Sequence, residues 1–129
     1  MNYYTNKELL NFWENEFHFL NISKKDEVFY LTLNRSNKKN ALHPQMQNEI
    51  AFCFDYISQN NEIILVVIQS TGDTFSAGAD LKALSNNIEP HTSTIPDPNK
   101  KIILGNLFNN LYKPKLAIVE GNVYAGGCL

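Results

Sequence analysis

Residues Ile63 to Ile68 form an unbroken run of six apolar side chains, five of them β-branched. The run is too short for a typical buried helix and lacks the polar alternation of a half-exposed strand. It predicts a strand covered on both faces, as in a parallel sheet with helical crossovers. The flanking sequence supplies the rest of such a unit. Val28-Phe29-Tyr30-Leu31-Thr32-Leu33 reads as a strand, followed by a polar turn over Asn34 to Lys39. Pro44 suits the first turn of a helix, and Met46, Ile50, Phe54 and Ile57 then recur on one face until Asn60-Asn61 ends it.

The remaining segments extend this pattern. Leu9, Leu10, Trp13, Phe17 and Leu20 follow a near-helical period, predicting an amphipathic helix across the first twenty residues, and Asn21 to Asp26 reads as a loop. Leu81 to Leu84 reads as a short helix, and Asn86 to Asn99, with three prolines, as a mobile loop. Ile102, Ile103, Leu107 and Leu111 form a helical stripe closed by Pro114, and Leu116 to Val119 reads as a last short strand. The order β-α-β-α-α-β predicts an α/β fold of successive crossover units. Residues 1–26 are expected to form a helical extension to a domain over 27–129.

With 129 residues, 43% of them hydrophobic, the chain is sized for one domain. Its net charge of −2 gives no general attraction to nucleic acid or anionic membrane. No window reaches the roughly 18–20 apolar residues of a membrane span. Cys53 and Cys128 lie far apart without metal-type spacing, and no metal is expected. They read as reduced thiols of a cytoplasmic protein.

Two glycine-containing turns carry the chemistry: Thr74-Phe75-Ser76-Ala77-Gly78-Ala79-Asp80-Leu81-Lys82 and Gly121-Asn122-Val123-Tyr124-Ala125-Gly126-Gly127-Cys128. Each follows a strand-like run and reads as the opening of a helix. In α/β architectures ligands collect beyond the carboxyl ends of strands, where helix N-termini converge. Small residues let a ligand's carbonyl approach the main chain. One backbone N–H from each turn, chosen as Ala79 and Gly126, would form an oxyanion hole. Neither turn matches the phosphate loops G-x-x-x-x-G-K-[ST] or G-x-G-x-x-G.

These residues resemble the enoyl-CoA hydratase/isomerase (crotonase) family. The resemblance rests on Asn40-Ala41-Leu42, the run Phe75 to Leu81, Lys113-Pro114, Gly121 and Ala125-Gly126-Gly127-Cys128, over roughly residues 27 to 129. It implies a crotonase-like superhelix of ββα units, acting on acyl-CoA thioesters through an enolate, in parents assembled as homotrimers or hexamers. No separate cofactor is implied, because coenzyme A belongs to the substrate. Carried over by motif, the amides of Ala79 and Gly126 would hold the thioester carbonyl. Ala77, Gly78, Ala79, Asp80, Leu81 and Lys82 would line the CoA side, with Lys82 near the nucleotide. Hydratases of the family usually carry glutamate three residues after the oxyanion glycine; here that residue is Leu129. The resemblance therefore implies isomerase-type double-bond migration ahead of hydration, with a non-catalytic remnant or a CoA- or partner-binding piece as the reading of another class. Neither family carboxylate falls within the 129 residues. The chain reads as the truncated first half of such a domain, inactive and poorly soluble alone.

Other polar residues have plainer readings. Asp80 suits a first helical turn, and Lys82 equally suits a solvated helix face. His43 marks a helix start, while His18 and His91 read as surface or loop residues. Cys128 reads as a small core residue. Arg35, Lys38 and Lys39 read as a solvated turn, and Asp55, Asp73 and Glu120 as acids without a catalytic role.

Overall fold

Alternation in Val28–Leu33 (β2) buries Phe29, Leu31 and Leu33 and leaves Val28, Tyr30 and Thr32 half-buried, as one covered sheet face requires. This strand and the helix after it organise the fold in the computed structural model, which describes residues 2–38, 40–72, 74–76, 89–118 and 122–123. In chain order the elements are α1 (Asn6–Leu10), a 3-10 turn (Phe12–Glu14), β1 (Leu20–Lys25), β2, a 3-10 turn (Ser36–Lys38), α2 (Pro44–Gln59), β3 (Leu65–Ser70), β4 (Thr74–Ser76), α3 (Leu104–Asn109), β5 (Lys115–Ala117) and β6 (Asn122–Val123).

Four strands form one sheet in the order β1-β2-β3-β5. β1 pairs antiparallel with β2, and β2, β3 and β5 run parallel. The expected crossover is therefore present as β2-α2-β3. A second sheet pairs β4 with β6 in parallel. The succession β3-β4-α3 followed by β5-β6 is the ββα alternation implied by the resemblance.

Several expectations need correcting. The first twenty residues do not make one helix: α1 is a single capped turn, with Thr5 accepting from the Glu8 amide and Glu8 returning the bond to Thr5. Leu20–Lys25 is a strand, and a boundary after residue 26 would cut the β1–β2 hairpin. Asp26 turns that hairpin at φ 53°, a left-handed conformation that Asp tolerates. β3 starts two residues later than expected because its register begins at Val28↔Leu65. The loop over the described residues 89–99 is non-helical as expected, but it is tied down: Gln45 Nε2 donates to the Ile95 carbonyl (2.8 Å) and Tyr4 Oη to the Pro96 carbonyl (2.9 Å).

α2 is buried well beyond its apolar stripe. Met46, Ile50, Phe54 and Ile57 are in the core as predicted, but so are Glu49, Phe52, Cys53 and Asp55. The N-terminal segment covers them. Phe12 stacks on Tyr56 (4.0 Å between centroids) and Phe52 (5.2 Å), and Tyr4 meets Phe52 edge-on. Aromatic pairs of this kind add about 0.5–1.5 kcal/mol each beyond area burial.

Two carboxylates on α2 bind the covering backbone. Asp55 accepts the amides of Tyr3 (2.6 Å) and Tyr4 (2.8 Å), and Glu49 those of His18 (3.0 Å), Phe19 (2.9 Å) and Leu20 (3.1 Å). Burial raises both acids above the usual carboxylate range despite these donors. No described helix is long and apolar enough to cross a membrane.

Candidate functional site

The carboxyl ends of β2 and β3 are joined by one asparagine. Asn40 is buried and takes φ 53°, which asparagine tolerates better than most residues. Its Oδ1 accepts from the Arg35 amide (2.7 Å), and its Nδ2 donates to the Thr71 carbonyl (2.7 Å). The loop after β2 thus fixes the turn by which β3 becomes β4. Thr71 returns a bond from its amide to the Leu33 carbonyl (2.9 Å). Gly72 completes the turn at φ +80°, where an added Cβ would lie 2.8 Å from Ser36 Cβ. Only glycine fits that combination.

From this turn β4 runs beside β6, with Thr74 paired to Asn122 and, after an irregularity, Ser76 paired to Val123. The strands are parallel, so the chain leaves both at the same end. Three residues beyond Ser76 in sequence is Ala79; three beyond Val123 is Gly126. The sequence suggests the strands here called β3 and β5 as the approaches to the two turns; β4 and β6, too short to show a pattern, are the described strands that precede Ala79 and Gly126 in sequence. Ala77, Gly78, Ala79, Asp80, Leu81, Lys82 and Gly126 themselves lie outside the described residues, as do Asp73, Glu120 and Cys128.

The described chain resumes at Glu89, which is clamped. Arg35 donates to Glu89 Oε2 through Nε (3.1 Å) and Nη2 (2.6 Å), and to the Ala41 carbonyl through Nη1 (2.9 Å). Its guanidinium carbon stands 5.5 Å from the centre of the Phe19 ring. Arg35 is therefore no solvated turn residue: it is 4% exposed. Lys38 is exposed as expected, and Lys39 lies outside the described residues.

His43 starts α2 as predicted, its Nδ1 accepting from the Gln45 amide (3.0 Å) with Pro44 next in the helix. Lys113, of the Lys-Pro element, has a structural task. Its Nζ donates to the Ile57 (2.6 Å) and Asn60 carbonyls at the end of α2, meeting the acceptors a helix C-terminus leaves open. Partial burial lowers its basicity. The Pro114 carbonyl then accepts the Val66 amide (3.0 Å), setting β5 against β3. The buried Cys53 thiol is pushed well up by desolvation, which leaves it unreactive.

Glu49 and Asp55 are the buried acids that sequence reasoning did not place. Only the covering segment's open amides reveal their role, and no local sequence signal marks it. Each is fully engaged in holding backbone.

An α/β sheet with a parallel β2-α2-β3 crossover and a second parallel pair β4–β6 defines a class of fold, and comparison with known proteins gives its family. The family model for enoyl-CoA hydratase/isomerase matches residues 23–129, and the chain belongs to that family. It is 31% identical over 114 residues to the human mitochondrial Delta(3,5)-Delta(2,4)-dienoyl-CoA isomerase, a match covering 81% of this chain and 35% of that protein. It is 32% identical to a short-chain-enoyl-CoA hydratase of Clostridium acetobutylicum, covering 83% of this chain and 41% of the hydratase. Among solved structures, a probable enoyl-CoA hydratase/isomerase from Mycobacterium abscessus superimposes with TM-score 0.68 at 28% identity, over 87% of this chain and 41% of that one. The fold is crotonase-like, and the chain spans well under half the length of these relatives.

Proposed function

We propose that this chain supplies the carbonyl-holding part of an enzyme that processes acyl-CoA thioesters through an enolate. The thioester oxygen sits between the main-chain amides of Ala79 and Gly126, and residues Ala77 to Lys82 lie along the CoA. The observation that supports this reading is the parallel β4–β6 pair, from which the chain leaves at one end, three residues before Ala79 and Gly126 in sequence. Removing a proton beside a thioester moves charge onto the carbonyl oxygen. Fixed amides stabilise that charge, and losing one donor of this type lowers the rate about a hundred- to a thousandfold.

Isomerase-type migration of a double bond is the favoured reaction, because Leu129 stands three residues after Gly126 where a hydratase glutamate would be. Hydration is the second reading, since hydratases and isomerases both occur among the 31–32% identical relatives. Within residues 1–129 the resemblance supplies no carboxylate to move the proton, so this chain alone binds without turnover. The CoA of the substrate is the only cofactor-like group required, and homotrimeric or hexameric assembly is proposed for the parent. The cytoplasm is the proposed compartment; the mitochondrial label belongs to the human relative.

Titration with a short enoyl-CoA and with its thioether analogue, which lacks the carbonyl, tests the reading. The thioester should bind at least about tenfold more tightly, the effect of one or two hydrogen bonds to a polarised carbonyl. Equal affinities would remove the oxyanion assignment. Product mass separates hydration, which adds one water, from migration, which leaves the mass unchanged, and turnover by the 129-residue chain would contradict binding without catalysis.

A further inference from the structure

The three histidines of the chain are 25 and 48 residues apart in sequence, yet the fold gathers them around one buried ring. The His18, His43 and His91 centroids lie 4.5, 4.6 and 6.0 Å from that of Phe19, with His91 6.2 Å from His18 and 6.3 Å from His43. They come from the N-terminal segment, the start of α2 and the strap of chain over residues 89–95. Among the described residues, no group of three His, Cys, Asp or Glu side chains has metal-holding geometry, so the cluster is not a metal centre.

We propose that this cluster is a proton-operated latch, holding the strap at Thr92 against the N-terminal segment while His18 is neutral and releasing the Thr92 amide when His18 takes up a proton, with Glu89 still clamped by Arg35. The hydrogen bond that decides this is the one from the Thr92 amide to His18 Nδ1 (3.3 Å). It requires an unprotonated Nδ1; a proton there sets two donors against each other. Thr92 Oγ1, 3.2 Å from His18 Nδ1, can accept from the protonated ring, but the Thr92 amide is then left without its acceptor. His91, exposed on the strap, would then stand 6.2 Å, ring centre to ring centre, from a charged His18.

The carboxylates that could compensate are already committed. From α2, Glu49 faces the His18 amide and is shared among three backbone donors and the Ser93 hydroxyl of the strap, and burial favours its neutral form. From the strap, Glu89 is taken by Arg35. Glu16 meets the strap through its main chain, its amide donating to Thr94 Oγ1 (2.8 Å) and its carbonyl accepting the Thr94 amide (3.0 Å). The second half of the strap is held from Gln45 to Ser93 and Ile95, from Tyr4 to Pro96 and by a Ser93–Glu49 hydrogen bond, none of which involves His18.

Amide hydrogen exchange on the full chain, corrected for intrinsic rates, tests this from pH 7.5 to 5. The Thr92 amide should lose protection by about tenfold or more while β2 and β3 amides keep theirs, as sub-global opening requires. The variant His18→Asn presents a non-titrating acceptor near the place of Nδ1 and should hold Thr92 protection constant with pH. Constant protection in the unmodified chain overturns the proposal. So does a loss shared by β2 and β3, which would be global unfolding, or a loss that persists in His18→Asn.

Discussion

The turn at Gly72 gives a sharp test of how the β2 and β3 ends are joined. In Gly72→Ala the new Cβ meets Ser36 Cβ at 2.8 Å, and the residue must keep φ +80°. Left-handed backbone costs a residue with Cβ about 1–2 kcal/mol. The overlap adds about 1–2 kcal/mol, because each Cβ is attached directly to backbone and neither can rotate away. A stiffer unfolded chain offsets about 0.4–1 kcal/mol. The net expectation is a loss of about 2–3 kcal/mol. Ser36→Gly removes the steric part but not the backbone part, so the double variant should recover about 1–2 kcal/mol relative to additivity. Urea unfolding of the four proteins in this cycle, with constant slope, measures both numbers. A Gly72→Ala variant within 0.5 kcal/mol of the parent (about the scatter of a neutral surface change), or a coupling near zero, would refute the reasoning.

Three further outcomes follow from the same geometry. Asn40→Gly should be less damaging than Asn40→Ala by about 1 kcal/mol in chemical denaturation, because both lose the side-chain bonds but only glycine relaxes at φ 53°. A double-mutant cycle of Arg35→Met and Glu89→Gln should give a coupling of about 1 kcal/mol that shrinks in high salt, since Glu89 is partly solvated. Glu49 has a raised folded-state pKa, first through desolvation. Its protonated form therefore favours the fold: that contribution is complete below the unfolded carboxylate value and is lost as pH rises through the folded one. Glu49→Gln, always neutral, should lack this part of the stability loss between about pH 4 and the raised value; identical slopes for variant and parent would exclude it.

How far the sequence could be read depends on what each segment packs against. β2, α2 and β3 were legible because each buries a face with its own period: alternation in Val28–Leu33, Met46-Ile50-Phe54-Ile57 along the helix, an unbroken apolar run for β3. The Asn40 and Gly-turn motifs pointed to the family, and at Asn40 the reason is physical, since backbone at positive φ admits few residue types. β1 escaped notice because Leu20–Lys25 is largely exposed at the sheet edge, and only its hydrogen bonds to β2 make it a strand. β4 and β6, of 3 and 2 residues, are too short for any period. Arg35 looked like one of three turn cations until the fold placed Glu89 and Phe19 beside it.

Local patterning therefore determined the crossover unit, the helix start at His43-Pro44 and the motifs that mark the family, because periodicity and backbone tolerance are properties of neighbours along the chain. Tertiary structure alone decided that the N-terminal segment seals α2 through Glu49 and Asp55, that β4 and β6 lie side by side, and that three distant histidines share one ring. Those arrangements join residues tens of positions apart, and their energies come from desolvation and hydrogen bonding that exist only once the chain has closed on itself.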